Sequence, residues 1–424
     1  MSIVTGPGAW LRIFVPFALG YYLSYLLRTV NAVISPALTQ ELGLSAANLG
    51  LLTSMYFLAF GLAQIPVGIA LDRFGPRRVE GALLLITAAG AACFALGGSL
   101  LQLGIARAMI GLGVSSCLMA ALTGFSLWYP RERQSSMTGF IMAAGALGAL
   151  TASVPVEAAL PVLGWRGVFW IIAAFALIVS IMIFRALPDE ADTRRHETLG
   201  EALAVVVGIY LTPAFLRYAA SSMFFVGGFM ALQSLWAVPW LMNVNGLDIA
   251  HAAQTLVLLN LGMLGGQLSI GVLGTLLSRR GVRPLNLLQA GYACLLVLQT
   301  AILFDVGPLP LLWFLLGYLS AVNSQTYLAT SAHFSRAIFG RVSTATNLMA
   351  FAGAFAVQWG MGLALDLLRS EGLEMKDSLE IAFAGLIVLQ ALAFVPLLPG
   401  VRLPFRRHAP TTTPTGSCSP PDGR

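Results

Sequence analysis

The chain has 424 residues, of which 58% are hydrophobic and only 10% charged, with a net charge of +6. A soluble domain carries roughly 25% charged residues, so this chain cannot cover a water-facing surface, which argues against a soluble enzyme. The positive excess is arginine, Lys376 being the single lysine. These arginines lie between apolar runs, where they set membrane orientation instead of binding nucleic acid.

The apolar runs are each near the roughly 20 residues that cross a bilayer as a helix. A transmembrane barrel would show shorter, alternating segments. The runs predict an all-α membrane protein with about twelve transmembrane helices. The first six cover about Ile13–Leu38, Asn48–Leu71, Glu80–Gly98, Leu101–Trp128, Ser136–Leu160 and Gly167–Leu187. The second six cover about Ala214–Met242, Ala252–Leu277, Pro284–Phe304, Pro308–Ala332, Arg341–Leu368 and Ser378–Leu398. The longest polar link, Pro188–Glu201, divides the chain. The expected domains are a bundle at 1–187, a cytoplasmic link at 188–213 with a surface helix, a second bundle at 214–399 and a disordered tail at 400–424.

One set of loops holds Arg73, Arg77 and Arg78, then Arg131 and Arg133, then Arg185, Arg194 and Arg195, then Arg279, Arg280 and Arg283, and Arg336. The opposite loops at 39–47, 243–251 and 305–307 hold no lysine or arginine. Positive loops stay inside, so both termini are expected in the cytoplasm, across a bacterial-type inner membrane. The N-terminus has no cationic leader, so the first run is expected to be retained. Cys93, Cys117, Cys294 and Cys418 have neither metal spacing nor a disulfide framework, and no metal or cofactor is expected.

Gly68–Arg78, GIALDRFGPRR, has a near-copy at Gly274–Pro284, GTLLSRRGVRP. Alignment puts Asp72 over Ser278 and Gly75 over Gly281, an offset of 206 residues, about half the chain. Such a period implies two similar membrane halves. The glycines allow a tight loop. Asp72 can meet a helix N-terminus or a cation and so latch the halves on the cytoplasmic side. Asp72, Arg73, Gly75 and Arg77 are therefore candidate gating residues; the alternative, that the arginines merely fix topology, is disfavoured by the repeat.

The first copy resembles the loop between the second and third helices of the major facilitator superfamily, G-x-x-x-D-R-x-G-R-R. Arg107–Gly113, RAMIGLG, is similar to that family's fourth-helix motif; Gly164–Trp170, GWRGVFW, and Gly340–Asn347, GRVSTATN, are similar to the starts of its sixth and eleventh helices. The resemblance covers about Ile13–Leu398. It implies two pseudo-symmetric six-helix bundles and alternating-access transport of a solute. Gly145–Ala152, GALGALTA, lacks the Gly-Pro run of the family's antiporters, which disfavours drug efflux. Neither Ala143–Leu150 nor Ala350–Phe355 carries the G-N motif of its nitrate carriers.

Arg28 falls just past the middle of helix 1, where an arginine costs about 2.5–3.5 kcal/mol on insertion scales, so it must face a cavity or a partner. Ser24, Arg28, Asn31 and Ser35 share one helix face and are read as a polar stripe along the solute path. Arg107 is expected at similar depth, and two guanidinium groups would favour a carboxylate or phosphate. The alternative is that Arg28 binds backbone carbonyls and Arg107 is structural. The second half offers Gln233 and Trp236, Asn323 and Tyr327, and Asn347 and Gln358 as further ligands, or as packing amides.

A coupling proton needs an ionisable group in the path. The sequence offers only Glu157 and Asp366, near the outer ends of helices 5 and 11, and each reads first as a boundary charge. No Walker loop or nucleophile elbow is present. The expected function is uptake of a small organic anion by a monomeric carrier, with proton coupling left open. Export of an amphipathic metabolite, a transporter-like sensor or assembly protein, and a membrane enzyme are the competing readings.

Overall fold

The computed structural model describes residues 7–188, 198–335, 338–399 and 401. The expected disordered tail, Arg194, Arg195 and Arg336 lie outside the described residues, as do the side chains at 271–279. The first half comprises α1 (Pro7–Leu42), α2 (Ala46–Leu96), α3 (Leu100–Val114), α4 (Cys117–Trp128), α5 (Arg131–Thr151) and α6 (Val154–Ala186). After α7 (Leu199–Tyr210) come α8 (Pro213–Ser221), α9 (Gly227–Ala231), α10 (Ala237–Asn243), α11 (Ile249–Arg279), α12 (Pro284–Leu303), α13 (Leu309–Ser320), α14 (Ser324–Ser331), α15 (Phe339–Ser370) and α16 (Met375–Phe394).

Nine helices among the described residues are long and apolar enough to cross a membrane. The 51-residue α2 is two crossings, broken where Gly75 takes φ 76°. With α5 and the interrupted α13–α14, the layout is twelve crossings in two six-helix bundles. The crossing Pro213–Asn243 contains two π-helical turns, Ser222–Val226 and Leu232–Trp236. Such turns re-aim side chains; here they carry Gln233, Ser234 and Trp236. Helix α7 opens with a capping box between Thr198 and Glu201. Its Val206 and Ile209 pack beside Phe215, Ala219, Val342 and Ala345, where Ile65 of the first half also lies.

The repeat read from the sequence has a backbone counterpart. Gly281 takes φ 80°, matching Gly75 at the aligned position. Gly111 lies against the backbone of Tyr56, and Gly317, 206 residues later, against that of Leu259. Gly148 likewise meets Tyr22, and Gly353 meets Met223. Each is a site where two helix backbones touch because no Cβ intervenes, the usual way membrane helices gain close contact.

Valine at Gly148 or at Gly353 should therefore cost roughly 1–3 kcal/mol by overpacking. The check is the thermal midpoint of detergent-purified protein. Gly360→Ala, where nothing lies within 4 Å, should leave that midpoint unchanged or slightly raised.

Candidate functional site

Arg28 lies near the middle of α1, on the seam between the two bundles. Its guanidinium sits 4.5 Å from the ring centre of Tyr25, 5.6 Å from Phe60 and 5.7 Å from Phe351. Tyr25 and Phe60 belong to the first half and Phe351, on α15, to the second. Phe60 and Phe351 stack at 4.3 Å. An aromatic face attracts a cation through its quadrupole, so this cage offsets part of the loss of water. Arg28 retains 8% exposure, and its Nε is buried without a partner. The wet stripe expected from the sequence is thus, in this conformation, a charge closed over by rings from both halves. Two apolar grooves, of about 470 and about 300 Å³, lie on the flanks of α2 and of α5–α6, and Arg28 lines neither.

A chain of amides and hydroxyls crosses the seam next to it. Tyr327 donates to Asn347 Oδ1 at 2.9 Å, and Asn347 donates to Gln64 Oε1 at 3.3 Å. Tyr327 lies close enough to sense the charge on Arg28. Asn323, a turn before Tyr327, keeps its Oδ1 buried without a partner. Tyr56 donates to the carbonyl of Ser24, one turn before Arg28, at 3.1 Å.

The other predicted residues gather elsewhere. Asn31 donates to Thr53 Oγ1 at 3.0 Å inside the first bundle. Gln233 donates to Asn260 Oδ1 at 2.7 Å, and Asn260 reaches the carbonyl of Ala149 and the hydroxyl of Ser153, each at 3.3 Å. Trp236 donates to the carbonyl of Gln358 at 3.1 Å, and Ser234 approaches its Oε1. Gly50 of α2 lies against the backbone of Gln358. These groups join the two halves toward one end of the molecule. There Asp366 on α15 accepts from the amides of Ala46 and Ala47 at 3.0 Å each, so a carboxylate of the second half caps α2 of the first. Gly362, one turn earlier, lies against Ala46.

Arg107 is not brought to Arg28. It is 1% exposed inside the first bundle, donates to the carbonyl of Leu27 at 3.0 Å and lies over Phe94 and Phe169. Glu157 is in the first turn of α6, where the helix dipole favours an acid. In the motif around Asp72, Arg77 donates to the carbonyl of Phe184, near the end of α6, at 3.0 and 2.5 Å. Arg73 lies over the ring of Phe74.

Sequence reasoning missed Tyr25, Tyr56, Phe60, Gln64 and Phe351, which carry no charge to mark them. It also placed Glu80 at a helix end. Because α2 breaks at Gly75, Glu80 falls on the second turn of the next crossing, 0% exposed, with both carboxylate oxygens lacking partners.

Two six-helix bundles thus meet at the level of Arg28. Residues 17–358 match the profile of the Major Facilitator Superfamily, and the chain belongs to that family. It is 30% identical over 166 residues to the probable L-galactonate transporter of Escherichia coli, covering 38% of this chain and 37% of that one. It is 27% identical over 192 residues to the hexuronate transporter of the same species, covering 45% and 44%. The matches thus span less than half the length of these relatives. A bacterial homologue of the human lysosomal transporter Spinster, solved inward-facing and unoccupied, superposes with a TM-score of 0.74 over 92% of this chain and 97% of that one, at 17% identity.

Removing the cap on α2 should loosen the end where Asp366 sits. Asp366→Ala is expected to cost this closed arrangement about 1–2 kcal/mol, as loss of a helix N-cap does. A cysteine at Leu49, 6% exposed here, should then react severalfold faster with an impermeant maleimide in a cysteine-free background. An unchanged labelling rate would deny Asp366 any part in the closure.

Proposed function

We propose that the protein imports a small organic anion of the sugar-acid type across a bacterial-type inner membrane by alternating access, as a monomer with both termini in the cytoplasm. Arg28 is the anchor for the carboxylate. The observation that carries this reading is the buried Nε of Arg28, unpartnered at the seam between the halves. A guanidinium can hold a carboxylate through two parallel hydrogen bonds. The names of the two relatives support the choice of solute, since galactonate and hexuronates pair one carboxylate with a row of hydroxyls. Gln64, Asn347 and Tyr327 offer amide and hydroxyl partners for such hydroxyls, and the rings of Tyr25, Phe60 and Phe351 offer faces for C–H groups.

Gating in this reading belongs to the two ends. Asp366 and the contacts of Gly50 and Gly362 hold one end shut, while Asp72, Gly75 and Arg77 form the turn that re-pairs at the other. Bundle boundaries at 187 and 214 let α7 ride between the halves as a tether. The arginine bias of the loops supports the orientation.

The experiment is uptake of labelled galactonate and hexuronates by proteoliposomes, after a thermal-shift screen of the same acids. Arg28→Ala should lower apparent solute affinity by about 2–3 kcal/mol, the scale of charge-assisted hydrogen bonds, while the protein still inserts. Arg28→Lys should rescue only part of it, because an ammonium lacks the planar fork. Uptake that is indifferent to Arg28→Ala would sink the proposed site. Active loss of solute from cells instead of accumulation would reverse the assigned direction.

A further inference from the structure

We propose that Glu80 is the site at which this carrier takes up and releases a coupling proton. The inference rests on the transport reading above and adds to it a group that the sequence did not mark. Glu80 lies within the first bundle, facing α1 and α4. From α1 it meets Gly20, where any Cβ would run into Oε1, so glycine makes the room the carboxyl occupies. From α4 it meets the thiol of Cys117, itself 0% exposed.

The remaining neighbours supply no counter-charge. From α6, Ser180 spends its hydroxyl on the carbonyl of Gly81 at 2.7 Å, and the ring of Phe184 covers Gly81. On α2 itself, Arg77 is committed to the carbonyl of Phe184, and Arg78 is exposed and lines the outer groove. Among the described residues, the weak S–H donor of Cys117 is what approaches the carboxyl of Glu80, and no cation or stronger donor partners either oxygen.

An unpaired ion sealed from water is strongly unfavourable, so in this conformation the carboxyl carries its proton. For the O–H bond to break, water must reach the carboxyl, and that requires α1 to part from α2 and α4 at Gly20. Arg28 lies two turns further along the same α1. The protonation state of Glu80 and the position of Arg28 are therefore tied through one helix. The cycle balances without any other reactant. A proton from bulk water on one side forms the O–H bond, and the same proton returns to water on the other side when the site opens there.

Two measurements test this, and the first needs no solute. A lipophilic carbodiimide adds only to a protonated carboxyl, taking its proton onto nitrogen as the oxygen bonds to carbon. Peptide mass spectrometry of the wild-type chain should find the adduct on Glu80, falling severalfold from mildly acidic to alkaline pH. No adduct at acidic pH overturns the inference. The second uses galactonate in proteoliposomes. Glu80→Gln should keep galactonate counterflow near the wild-type rate yet lose accumulation driven by a pH gradient. Accumulation at the wild-type level in Glu80→Gln overturns the inference too. If the wild type moves no galactonate at all, the solute reading fails, and the carbodiimide result alone decides the proton site.

Discussion

An arginine at the middle of a bilayer has to be surrounded by something other than lipid, and how that demand is met sets the design of this molecule. Arg28 answers it with rings supplied by both bundles, so its comfort depends on the bundles being together at that level. Arg107 meets the same demand within a single bundle, through the carbonyl of Leu27 and the faces of Phe94 and Phe169, its Nε and Nη2 staying without a hydrogen-bond partner. The surroundings of Arg28 change whenever the halves move relative to each other. Those of Arg107 move with the first bundle as a body.

Rigid bundles are a condition for that difference to matter. Within each half, glycines at matching places bring helix backbones into contact, Gly111 and Gly148 in the first, Gly317 and Gly353 in the second. Contacts without intervening side chains have little room to slide. Across the seam, glycine contacts recur at the Asp366 end, Gly50 on Gln358 and Gly362 on Ala46, but the others are different in kind: stacked rings, one amide-to-amide step and one carboxylate on a helix N-terminus. Such contacts can be broken and remade without repacking a core.

Much of the fold was legible because the bilayer forces it: apolar runs of crossing length, arginine-rich loops on one side and the 206-residue repeat all follow from composition and spacing. Gly75 is an example of a position whose role was readable, since its aligned partner Gly281 shares a φ that side chains resist. The candidate site was legible only where it was charged or stood at helical spacing from a charge. Tyr327 and Asn347 fall beside Arg28, but Gln233, Trp236 and Gln358, equally polar, fall nearer the end closed by Asp366. Nothing in a sequence says which helix a polar face will meet. Glu80 was misplaced for a local reason: the polar loop after Asp72 looks as if it runs on to Glu80, whereas the backbone turns at Gly75 and the helix has already restarted.

A solute can drive alternating access only by binding the two arrangements unequally. A pocket built wholly from one bundle would bind the same in both and shift nothing, however tight it was. The surroundings of Arg28 avoid that trap. Phe351 and Tyr327 come from the second half, Tyr25, Phe60 and Gln64 from the first, and the chain from Tyr327 through Asn347 to Gln64 exists only while the halves meet. In the proposed reading, an anion seated on Arg28 would replace part of what the rings provide and compete for the same amides. Its binding free energy therefore depends on how the bundles are set against each other. In that reading a charge held at the seam would do the work of a carrier, which the charge of Arg107, enclosed within one bundle, could not.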